Sequence, residues 1–162
     1  MRKRQKGFSL IELLIVVAII LIIAAIAIPN LLRSRMAANE ASAVGSLRTI
    51  NTAEVTYSTT YPSIGFASLA SLGGSAATCA TATGATSTGS CLIDDVLAST
   101  AVKSGYAFTA AVGGGSPAVT YTAKALPSVV GQSGQRAFCS DQSGVIRYNG
   151  GGTACSNTDS PL

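Results

Sequence analysis

The chain has 162 residues, with eleven Lys and Arg against seven Asp and Glu, no histidine, four cysteines and a formal net charge of +4. That length holds one modest domain beside an apolar segment, and the missing histidine excludes Ser–His and Cys–His nucleophile pairs and His-ligated metal sites. Four cations (Arg2, Lys3, Arg4, Lys6) precede Phe8 and the other seven balance the seven acids, so the excess charge belongs to the N-terminus and argues for no nucleic-acid surface.

From Phe8 to Ile28 the sequence is apolar except for Ser9 and Glu12. These 21 residues span roughly 30 Å as a helix, one hydrocarbon core. One reading is a secretory signal peptide, with Ala25-Ile26-Ala27 as the cleavage site. A second is a plain transmembrane anchor, held by the basic residues that precede it. Neither accounts for Glu12. A carboxylate in a span is costly, less so near an end, and normally marks a function with a partner.

The stretch KGFSLIE ahead of a long apolar helix resembles the N-terminus of type IV prepilins. The resemblance implies a leader of residues 1–7, cut between Gly7 and Phe8 by a prepilin peptidase on the cytoplasmic face. It implies N-methylation of Phe8 and makes Glu12 the acidic residue used in subunit docking. Its partner would be the new amino group of Phe8 on a neighbouring subunit. Removing one member of a buried ion pair is costly, ~3–5 kcal/mol, although the intact pair often only breaks even. Such a pair sets register more than it adds stability. In the waiting subunit Glu12 would sit solvated at headgroup level.

After Pro29, the sequence to Thr60 holds many good helix formers. Met36, Ala43, Leu47, Ile50, Tyr57 and Tyr61 recur at three-, four- or seven-residue steps, the pattern of one apolar stripe. Asn39, Glu40, Arg48 and Asn51 are expected on the wetter sides. Pro62 ends the pattern. Helix from Phe8 to about Thr60 would extend roughly 80 Å, with residues 8–28 in the membrane or filament core and 29–61 as an amphipathic continuation. Pro29 removes a backbone donor and kinks or opens the helix; the corresponding turns can lose helical structure in pilin filaments, and the resemblance allows the same between about Ala24 and Pro29, so both outcomes stand. Arg33 and Arg35 would pair with Glu40 or Glu54 of neighbours, or stay solvated.

Residues 62–162 read as a β-rich head. Residues 73–90 form a low-complexity variable loop of Gly, Ser, Ala and Thr around Cys79. Cys91 to Leu97 reads as a short helix or turn. Four strand candidates follow: GYAFTAAV and AVTYTAKAL about a glycine turn, then QRAFCSD and GVIRYN. The expected fold is α+β, with the long helix packed against a small antiparallel sheet of about four strands, as in a pilin head. The core is small and calls for staples. An even cysteine count after an export-type start suggests disulfides rather than buried thiols. The local pairing, Cys79–Cys91 and Cys139–Cys155, is expected among three connectivities. Each bridge contributes ~3 kcal/mol by chain entropy. The second would bound the C-terminal loop at 139–155 that is familiar in pilins.

No cofactor, catalytic group or metal site is expected. Asp141 and Asp159 would offer oxygens to Ca²⁺ as in secretion pseudopilins, but no spacing demands it. The resemblance implies a structural protein, not an enzyme: a homopolymer of the pilus filament. The precursor would cross the inner membrane once and be handled by the prepilin peptidase and the pilus assembly machinery, and the product would stand on the cell surface. Adhesion, motility and DNA uptake are all open to such a filament. A pseudopilin of a type II secretion system is the nearest alternative, and a secreted binding domain or enzyme released by a conventional signal peptide is the remoter one.

Overall fold

The computed structural model describes residues 8–80 and 85–162. The leader positions, Gly7 among them, and residues 81–84 of the variable loop lie outside the described residues. Two compact units are present, one ending at Arg35 and the other Met36–Leu162.

The first element is α1, Leu10–Thr60, a helix of 51 residues with Pro29 inside it. Ser9 starts it: its carbonyl accepts from the Leu13 amide at 3.2 Å, and its own amide donates to the Glu12 carboxylate at 2.9 Å. That is the reciprocal half of a capping box. Residues 24–29 remain helical in the single chain, so the alternative in which these turns unwind is not the state seen here.

In the second unit, α2 (Leu69–Leu72), α3 (Ala76–Cys79) and a π-helical turn (Val96–Thr100) precede six strands. These are β1 (Val102–Lys103), β2 (Tyr106–Gly113), β3 (Thr120–Pro127), β4 (Ala137–Asp141), β5 (Arg147–Asn149) and β6 (Ser160–Pro161). They form one sheet in chain order, antiparallel throughout. The four expected strands are β2 to β5, and the sheet adds one short strand at each edge. Neither edge strand is long enough to show periodicity. β1 turns into β2 through Ser104 and Gly105, both at positive φ (50° and 73°), the conformation a two-residue hairpin loop requires. β6 contains Pro161, which an outer strand tolerates because no inward donor is needed.

The core lies between the second half of α1 and one face of this sheet. α1 contributes Ala43, Leu47, Ile50, Ala53 and Tyr57, and the strands contribute Tyr106, Phe108, Tyr121, Ala123, Ala125 and Phe138. Along β3 the buried positions alternate, as they do in a strand with one covered face. Small Ala123 and Ala125, both fully buried, leave room for the helix to approach. β4 is buried on both faces: Phe138 enters the main core, while Ala137 and Cys139 pack with Cys155 in a second cluster. Cys79–Cys91 and Cys139–Cys155 are disulfide-bonded.

The wetter side of α1 differs from expectation. Arg48 is exposed, but Glu40 is buried and Asn39 and Asn51 are half-buried. Asn39 donates to the Ser133 carbonyl at 2.8 Å. Asn51 donates to Ser140 at 2.8 Å and accepts from the Tyr121 hydroxyl at 3.0 Å. The polar residues that flank the apolar stripe thus meet strands and turns of the head instead of water.

Candidate assembly interface

Every large apolar side chain from Phe8 to Leu32 is exposed, from 45 % at Val17 to 78 % at Phe8 and Leu10. The segment is long and apolar enough to cross a membrane. A contiguous apolar surface of this size marks a place for lipid or other protein. At its start the sequence-predicted docking residues Phe8 and Glu12 are both exposed. Glu12 is occupied meanwhile by the Ser9 amide 2.9 Å away, a local partner that another donor can replace without leaving the carboxylate bare. The S-x-x-E spacing of Ser9 and Glu12 is the sequence signal for this cap.

Glu40 and Glu54, the acids expected to meet Arg33 and Arg35 of neighbours, have other roles in the head. Glu40 Oε2 accepts from Arg136 Nε at 2.8 Å and pairs with its Nη2 at the same distance. Its Oε1 accepts the Gln135 and Arg136 amides at 2.9 and 3.1 Å. Burial works to raise its pKa, but these amides and the guanidinium outweigh it and hold the carboxyl below its ordinary value. The Arg136 guanidinium also lies 5.4 Å from the Phe138 ring centre and 5.5 Å from that of Tyr148. Glu40 thus clamps α1 to the start of β4, which corrects its expected place on a wet face.

Glu54 has no exposed surface. One oxygen accepts the Ala67 amide at 2.9 Å, and the other, Oε1, has no hydrogen-bond partner. Burial pushes its pKa up to about 7, opposed only by the Ala67 amide. Both acids therefore tie α1 to the head and are not free for neighbouring subunits.

The Ca²⁺ candidates are engaged in their own turns. Asp141 accepts from the Ser143 amide at 2.9 Å. Asp159 accepts from the Ser156 amide at 2.7 Å and from Asn149 at 3.2 Å. Cys139 and Cys155 lie beside Asp159, but their sulfurs are bonded to each other and offer no thiolate.

The profile of the prokaryotic N-terminal methylation motif matches residues 2–28, which include Gly7, Phe8 and Glu12. The chain thus carries a prepilin-type methylation motif at its N-terminus. It is similar to the type IV wide pilus major component PilA4 of Thermus thermophilus, 63 % identical over 38 residues that cover 24 % of this chain and 29 % of that protein. It is also similar to the type IV major pilin protein PilA of Myxococcus xanthus, 46 % identical over 54 residues covering 33 % of this chain and 24 % of that protein. The aligned segment thus spans less than a third of either relative. No solved structure matches the chain. The prepilin motif and the apolar helix together support membrane anchoring of this chain.

Proposed function

We propose that the chain is a structural subunit of a type IV pilus, the major one of its filament, which polymerises through the N-terminal half of α1. The observation that carries this reading is the uncovered apolar surface of Phe8 to Leu32 with one carboxylate, Glu12, placed at its start. The methylation-motif match over residues 2–28 supports cleavage between Gly7 and Phe8 by a prepilin peptidase and methylation of the new Phe8 amino group. In the inner membrane the Leu10–Ile28 surface faces lipid. When the assembly machinery moves the subunit into the filament, the same surface packs against other copies, and Glu12 exchanges the Ser9 amide for a neighbour's Phe8 ammonium. An ammonium is the stronger partner, because it adds a full opposite charge where the amide offers only a dipole. Pro29 is the weak point of α1, where the helix kinks or opens as neighbours crowd it. The head forms the outer surface and carries no catalytic role.

Two disulfides and a glycine- and threonine-rich loop favour a pilin head over a secretion pseudopilin. Electron microscopy of sheared surface material, with the subunit identified by mass, tests the choice. Long surface fibres containing a methylated Phe8 start support the proposal. Its confinement to short periplasmic fibres would assign the pseudopilin role, and a mature chain starting at Ile28 would make the segment a conventional signal peptide.

A further inference from the structure

We propose that Arg33 and Arg35 bind anionic phospholipid headgroups at the outer end of the membrane span. This rests on the membrane-anchoring reading of α1 and adds to it a specific lipid partner.

The exposed apolar surface does not stop at Pro29. Leu31 is 68 % exposed and Leu32 is 52 % exposed, and the two arginines follow at once, both exposed. At ~1.5 Å per residue, Leu13 to Leu32 covers about 30 Å, one hydrocarbon core. With Glu12 at the inner headgroup level, Arg33 and Arg35 reach the outer phosphate layer. Two positions apart on a helix, they point about 200° from each other, so they engage lipid on opposite sides of the span.

Neither side chain has a partner among the described residues, whose ion pairs are Lys103–Asp94 and Arg136–Glu40. The acids further along α1 are withheld, since Glu40 holds Arg136 and Glu54 is fully buried. Two unpaired cations on the outer side also run against the positive-inside preference. A lipid phosphate offsets that cost, because the planar guanidinium matches its oxygens two at a time. Anionic lipid is preferred over zwitterionic lipid by the unbalanced charge of the pair.

The test uses the full chain in phosphatidylcholine bilayers doped with a headgroup-photoactivatable phosphatidylglycerol, with adducts mapped by mass spectrometry. Adducts are expected at residues 31–37, with at least about fivefold fewer when the doped lipid is photoactivatable phosphatidylcholine, the weight of one surface cation. In Arg33→Gln/Arg35→Gln the phosphatidylglycerol adducts should fall by a similar factor, while those of the basic leader stay. Equal labelling by both lipids, or equal labelling of the variant, overturns the proposal. An acyl-chain photoprobe run in parallel separates the two failures: no adducts along Leu10–Ile28 means the chain is not in the bilayer, and anchoring falls together with the lipid contact.

Discussion

Three glutamates on one helix meet three different environments, and their chemistry follows from them. Glu12 is exposed and caps its own helix, where the proposed docking partner can reach it. Glu12→Ala should therefore leave membrane insertion intact while fibre incorporation fails, read as piliation by electron microscopy against membrane content by immunoblot. Normal piliation would remove the docking role. Glu40, held below its ordinary pKa, contributes stability at neutral pH that is lost as acid protonates it. Glu54 has the opposite sign. Its folded pKa of about 7 lies above the ordinary value of 4.5, so between those values the folded state holds a proton that the unfolded state releases. Stability falls as pH rises through that window and levels off above it, by a total on the order of 3 kcal/mol. Glu54→Gln keeps an acceptor for the Ala67 amide and cannot ionise. Denaturation midpoints of the detergent-solubilised variant should lose the decline between pH 5 and 7 and exceed those of the parent at pH 8.

At the scale of elements, α1 shows how one helix serves two solvents. Its first half is apolar all round, and its second half has an apolar stripe that the sheet covers. Periodicity exposed that stripe because helix spacing repeats within a turn. It did not reveal that Glu40 and Asn51 also face the head, since the residues that receive them lie far along the chain. Gly45 is the one glycine in α1; a Cβ there would meet nothing within 4 Å. Gly45→Ala should thus stabilise the helix by about 1 kcal/mol, measurable as a higher urea midpoint with unchanged slope. An unchanged or lower midpoint would mean that the glycine has a packing role the single chain does not show. The strands β2 to β5 were legible from alternating aromatic and small residues. β1 and β6, two residues each, carry no period and exist only because an adjacent strand offers free backbone groups.

At the scale of the whole molecule, the disulfides substitute for core volume. Cys139–Cys155 closes a separation of 16 residues and brings Cys155 onto β4, where it packs with Ala137, Cys139 and Leu126 in the second cluster. Replacing both cysteines with serine should cost about 2–4 kcal/mol and free the Ser160–Pro161 edge. Hydrogen exchange of the Leu162 amide, which donates to the Ile146 carbonyl at 2.9 Å, would report that release. Retained protection would show that the edge holds without its staple.

The sequence by itself determined the N-terminal motif, the extent of the long helix, the four inner strands and the small-core character, because each is written in spacing between near neighbours or in composition. Only the tertiary structure decided which acids are buried, which edges extend the sheet and which polar residues stitch the helix to the head. Those outcomes depend on contacts such as Glu40 with the Gln135 amide, 95 positions apart, and burial of a charge is set by what folds over it rather than by the residues beside it in the chain.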